Sequence, residues 1–272
     1  MNRTRTREVG GWGRRRLLMI LAAVALMILS LVFGLIMVMR NTATQVWRAD
    51  GTRGDPTMTD HQQRPSPLSR DAIAAEPMLE VQSADARPTA PAAIAGPVIE
   101  VPPSTVIGPA GVPAGFPHTA EGAVGQLAAV EVTVLQGMSI PHTNDVYQRW
   151  SLPGGVGVER WQMTANVQPF LAAAQMGQQK DLSASVVAVP AAGQVKGVDG
   201  PDWLVACLLL EIRATISVEA RMGYGYCERM QWQHGRWMIA PGTPPAKAPS
   251  TWPGSELSIR AGWRSWIDAR EG

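Results

Sequence analysis

Hydrophobic and polar positions follow four regimes along the chain. From Leu17 to Met39, 23 consecutive residues carry no charge and are mostly apolar. At about 1.5 Å per residue, a helix of that length spans roughly 35 Å, enough to cross a hydrocarbon core of about 30 Å with some tilt. From Asn41 to Gly115 no period is sustained: the stretch holds eleven prolines, much Ala, Ser, Thr and Gly, and a single aromatic, Trp47. Such a segment buries too little apolar surface to offset the entropy of ordering, so it reads as a disordered spacer. As a coil its 75 residues reach about 50 Å, and more where the prolines stiffen it.

The third regime begins near Phe116, with about 155 residues left for one domain, enough for a core. Here the period is helical. Thr119 is placed to cap a helix, with Glu121 in its first turn. Ala123, Leu127, Val130 and Val134 form one apolar stripe that Gly137 closes. Pro141-His142-Thr143-Asn144 opens a second helix carrying Val146, Tyr147 and Trp150. A third runs from about Val158 to Met176, where Pro169 is expected to break or kink it.

In the fourth regime the period falls to two. Ser183 to Val189 reads as a strand and Gln194 to Val198 as a weaker one, followed by a turn at Asp199-Gly200-Pro201. Trp203 to Ile212 is apolar on both alternating faces apart from Glu211, the pattern of a central strand covered on both sides. Ile216, Val218, Ala220 and Met222 alternate with polar residues. Tyr224 to Gln233 follows, and His234-Gly235 makes a hairpin turn into Arg236 to Ala240. Three helices followed by an antiparallel meander predict an α+β domain. The expected organisation is a basic tail (1–16), a transmembrane helix (17–39), a disordered Pro/Ala-rich spacer (40–115), the α+β domain (116–242) and a Trp-containing tail (243–272).

Charge adds topology. Six arginines against Glu8 precede the apolar run, so the N-terminus is expected in the cytoplasm and everything after Arg40 outside. The run is longer than a signal-peptide core, and Met37-Val38-Met39-Arg40 offers no small-x-small cleavage site, which favours an uncleaved anchor. Five of the formal charges sit in that tail, while the whole chain carries +2. The outside part is therefore neutral to slightly acidic, and no direct nucleic-acid binding is expected.

Few residues suggest chemistry. Two Pro-His-Thr triplets (117–119 and 141–143) would bring His118 and His142 to a metal with Glu121 or Asp145, or they place Thr119 and Thr143 as helix caps; capping is the expectation. Cys207 and Cys227 are equidistant from Ser217. They face each other if the ladder turns there, which makes a cross-strand disulfide or two buried small hydrophobes. Seven of ten tryptophans lie beyond Trp150. Trp252, Trp263 and Trp266, with the strand residues Ile216 and Val218, are candidate interface positions; the alternative for the three tryptophans is that they fold back onto the sheet.

The helical half, the bent meander and its closing Gly235-Arg236-Trp237-Met238-Ile239 resemble the cystatin-like roll of the nuclear-transport-factor-2-like superfamily. In ketosteroid isomerase relatives of that superfamily, a Tyr and acids in the cavity carry proton transfer. Here Tyr224, Tyr226, Glu228, Asp202 and Arg213 would line its mouth, but alternating Tyr is ordinary sheet composition. No catalytic, cofactor-binding or metal residue is expected. The run Pro117 to Ala123, Cys227-Glu228-Arg229-Met230 to Trp237, and Ser250-Thr251-Trp252-Pro253-Gly254 are similar to membrane proteins of actinobacterial plasmids and integrative elements. With the tail, anchor and spacer, the whole resembles bitopic components of type IV secretion and conjugation machines. The resemblance implies a non-enzymatic assembly component of a membrane-spanning DNA-transfer machine, with the membrane, further copies of itself and other channel subunits as partners. The alternatives are a membrane-tethered ligand-binding or enzymatic member of the cystatin-like superfamily, or an accessory cell-envelope protein.

Overall fold

Six strands form one sheet in the order β1-β8-β4-β5-β6-β7, every pairing antiparallel except β1 with β8. The strands are β1 (Val98–Val101), β4 (Ser185–Val198), β5 (Trp203–Thr215), β6 (Glu219–Gln233), β7 (Arg236–Ile239) and β8 (Arg264–Asp268). A separate ribbon pairs β2 (Val106–Ile107) with β3 (Pro113–Ala114). Among the described residues five α-helices complete the α+β fold: α1 (Pro67–Ala75), α2 (Ala120–Gly137), α3 (Ile140–Trp150), α4 (Gln162–Ala173) and α5 (Glu256–Arg260). This computed structural model describes residues 67–269, all within the unit Gln62–Gly272. The basic tail, the expected anchor and the first part of the expected spacer lie outside the described residues. Among the described residues no helix is long and apolar enough to cross a membrane.

The double-sided strand predicted from Trp203 onward is central, as expected. Leu204, Ala206, Leu208 and Leu210 join the core against α2 and its neighbours. Trp203, Val205, Cys207 and Leu209 face a second cluster that includes Ala74 of α1, Ala248 and Trp263. The chain turns at residues 216–218, so Thr215 pairs with Glu219 and Cys207 falls opposite Cys227. The two cysteines form a disulfide. Ile216 and Val218 therefore sit on the hairpin connection rather than inside a strand. The two strands expected before Asp199 are one, β4, bent by irregularities at Pro190/Ala192 and Val195/Gly197. A bulge of this kind accommodates a proline and increases the local twist, which curls the sheet.

Helix starts and stops largely follow their caps. Thr119 Oγ1 accepts the Gly122 N–H at 3.0 Å, and the stripe Ala123, Leu127, Val130, Val134 is buried. Met138, not Gly137, adopts the left-handed cap conformation. α3 is capped by Ser139 and not by Thr143, whose hydroxyl lies inside the first turn and donates to Ser139 O at 2.8 Å. α4 runs through Pro169 without breaking.

Two boundaries require correction. Residues 67–115 are not a spacer: α1 packs on the outer face of the sheet, and β1 pairs with β8 from Val98↔Ser265 to Val101↔Asp268. Ile99 and Val101 are buried in the main core. The four-residue alternation was hidden because Pro97 and Pro102-Pro103 flank it, and prolines beside an edge strand do not interrupt its ladder. Residues 243–269 are not a tail either, because the chain there returns across the outer face and adds β8. Gly223 and Gly225 of β6 let it approach: a Cβ at Gly225 would stand 2.6 Å from Pro249 O. Trp263, expected at an interface, is buried and donates from Nε1 to Pro249 O at 3.1 Å. Trp266 is half-buried on β8, and Trp252 is half-buried under the Arg221 guanidinium.

Candidate functional site: a buried acid pair beside an aromatic cleft

Alternation along β6 turns Tyr224, Tyr226 and Glu228 to the inner face, toward α2 and α4. Glu228 lies at the wall of a cleft between this strand, the loop that enters α4, and residues 240–250. Its carboxylate is held from three directions. The Tyr226 hydroxyl donates to Oε2 at 2.5 Å, Trp161 Nε1 donates to the same oxygen at 3.3 Å, and the Arg229 backbone N–H donates to Oε1 at 3.1 Å. Trp161 is positioned as the residue preceding α4, packed against Tyr147 with ring centroids 5.2 Å apart. Deeper along the strand, Asn166 Nδ2 donates to the Tyr224 hydroxyl at 2.6 Å.

Glu131 of α2 completes the cluster and is fully buried, with no hydrogen-bond partner on either carboxyl oxygen. Burial, and next the charge of Glu228, push its pKa well above the usual carboxylate range. Burial also raises Glu228, but the bonds from Tyr226, Arg229 and Trp161 and the Arg229 charge oppose it. Donors reach Glu228 and none reach Glu131, so where the two acids hold a single negative charge between them, the geometry favours it on Glu228. Both tyrosines are pushed up, first by burial: Tyr226 next by the Glu228 charge, Tyr224 next by Glu131. They stay neutral and serve as donors or acceptors. Chemically, the site pairs two buried carboxyl groups, one held by three donors and one by none, in an aromatic setting.

Of the five residues placed at the mouth by sequence, Tyr224, Tyr226 and Glu228 converge. Asp202 lies in the turn before β5, its Oδ1 2.8 Å from His118 Nε2. Arg213 has the opposite parity and pairs with Glu211 at 2.9 Å. His118 stacks on Trp232, with centroids 4.4 Å apart, and among the described residues no group of three or more His, Cys, Asp or Glu is placed to hold a metal. Glu131, Trp161, Asn166 and Tyr147 were missed. Glu131 had a signal: with Val124, Leu127 and Leu135 it follows steps of three, four and four, an acid on a buried helical stripe.

Two concavities meet this region. The cleft at Glu228 has a volume of about 440 Å³ and is walled by Tyr147, Val156, Trp161, Tyr226 and Ile239. A groove of about 300 Å³ lies beyond Tyr224, lined by Phe170, Ile212, Ala214 and Met222 and without a charged residue. Ile216 and Val218, at the tip of the β5–β6 hairpin, are 42% and 78% exposed. No protein family, curated protein or solved structure matches the chain.

Proposed function

We propose that this chain is a non-enzymatic assembly component of a conjugative, type IV secretion-like DNA-transfer machine, its curled sheet and helices forming a cystatin-like roll. The carrying observation is the β5–β6 hairpin. Its tip exposes Ile216 and Val218, while the groove behind it, at Phe170, Ile212, Ala214 and Met222, is open and apolar. One copy thus offers both an apolar knob and an apolar hole, and contact between copies joins the two. Such a contact closes into a ring or a dimer according to the rotation between copies. In this reading the segment Leu17–Met39 anchors the chain with its arginines inside, and the domain docks outside the membrane. The Cys207–Cys227 disulfide supports that side, because such bonds persist in oxidising compartments.

The test uses the full chain in detergent. The wild type should sediment as an oligomer, and Ile216→Ser with Val218→Ser should sediment as a monomer with unchanged thermal unfolding. An oligomer unaffected by the pair, or a wild-type monomer at working concentration, sinks the reading.

A further inference from the structure

We propose that the cleft beside Glu228 binds a small zwitterion, its ammonium group toward Glu228 and its anionic group at the rim beside Arg160 and Lys247. The cleft reaches Tyr226 and Glu228, which do not line the docking groove, and the inference does not depend on assembly.

The floor supplies the cation preference. A carboxylate offers about four acceptor positions, and the three bonds to Glu228 leave one open on Oε1. Among the described residues Glu228 is the only acid that lines the cleft. Glu131 has no donor on either carboxyl oxygen, whereas three donors reach Glu228, so a negative charge on the pair is favoured on the residue that lines the cavity. A buried carboxylate with a free acceptor position is a strong site for an N–H donor that carries charge. The walls add to this: Tyr147, Trp161 and Tyr226 line the cleft with aromatic rings, whose faces attract a cation.

The rim selects the other end. Arg160 and Lys247 both line the cleft and are both exposed. They oppose a second positive charge and favour an anion at the opening. The backbone adds donors and acceptors. Arg229 O accepts from Ala240 N at 2.8 Å and Gly225 N donates to Ser250 Oγ at 3.0 Å, so both residues point their polar groups away from β5. Cys227, between them, shares that direction by the alternation of an antiparallel ladder, and its N–H and C=O reach into the cleft. A volume of about 440 Å³ falls in the range of small-molecule sites and suits an amino acid with a large side chain.

Three probes on one phenylethyl frame separate the terms: phenylalanine, phenethylamine without the carboxylate, and 3-phenylpropionate without the ammonium. Titration calorimetry on the full chain in detergent should give phenylalanine the tightest binding. Phenethylamine should bind several-fold weaker, and 3-phenylpropionate at least about tenfold weaker, about 1.4 kcal/mol. Arg160→Ala with Lys247→Ala, both at exposed positions, should bring phenylalanine down to the level of phenethylamine. Glu228→Gln should abolish the difference between phenethylamine and 3-phenylpropionate, with circular dichroism verifying the fold. Silence from all three probes, 3-phenylpropionate binding as tightly as phenylalanine, or a rim variant without effect each overturns the proposal.

Discussion

Cys207 and Cys227 occupy one rung of the β5–β6 ladder, their Cα atoms 4.0 Å apart and their sulfurs bonded. The bond closes the long hairpin whose free end is the exposed connection 216–218, on the face covered by α1 and the returning chain. Closing a loop with a sequence separation of 20 restricts the unfolded chain and contributes about 3 kcal/mol in the chain-entropy account. Cys207→Ala with Cys227→Ala should therefore lower the urea midpoint, with a steeper slope because the open unfolded chain exposes more surface, and cost about 2–4 kcal/mol. A midpoint equal to the wild type under oxidising conditions would mean the bond adds no stability.

The segment before Phe116 is expected to be required for folding. Ile99 and Val101 bury their side chains in the main core, and Ala74 O takes bonds from Lys196 Nζ at 2.7 Å and Ala246 N at 2.8 Å. Removing residues 1–101 strips β1 from β8 and α1 from β4. A chain starting at residue 102 should be insoluble or show non-cooperative unfolding, while one starting at residue 62 should unfold cooperatively. Equal cooperativity in both would return residues 67–101 to the status of a spacer.

What the sequence disclosed depended on how long each pattern ran. The helical stripe of α2 and the double-sided β5 were legible because each persists for ten or more residues, and a long period outweighs local noise. β1 and β8 were not, since four or five residues between prolines or glycines carry too little alternation to stand out. The Trp252–Trp266 stretch was ambiguous for a related reason: an aromatic after a Pro-rich run looks equally apt for a partner or for the molecule's own outer face, and Trp263 takes the second place. Only Gly223 and Gly225 hinted that backbone would cross there. The site was half legible. Parity on β6 brought Tyr224, Tyr226 and Glu228 together, whereas Glu131 comes from a helix nearly 100 positions earlier and no local pattern links the two.

Gly225→Ala tests the crossing. The added Cβ would meet Pro249 O at 2.6 Å, and the neighbouring Gly225 N–H to Ser250 Oγ bond would stretch. The returning chain must lift, which uncovers Trp263 and the disulfide. Destabilisation of about 2 kcal/mol is expected, the range of an overpacked core position, together with faster proteolysis between residues 241 and 255. An unchanged cleavage rate would show that the segment is not held there.

Glu131 gives the domain a specific pH response. In the unfolded chain its carboxyl titrates near the ordinary value of about 4.3, while burial and the Glu228 charge raise the folded value well above that. Between the two, the unfolded state releases a proton that the folded state keeps. Stability then falls as pH rises, at up to about 1.4 kcal/mol per pH unit, and levels off above the folded value. The contribution is fully present below the unfolded pKa and is lost as pH climbs through the folded one. Glu131→Gln keeps the shape and removes the proton, so the variant and the wild type should have similar stability near pH 4, where both side chains are neutral. By pH 7 the variant should be the more stable. Urea unfolding from pH 4 to 8 measures the difference directly, and subtraction cancels the titration of groups far from the site. Two curves running parallel over that range would mean that Glu131 ionises as freely in the folded chain as in the unfolded one, and the shared-charge description of the acid pair would fall with it.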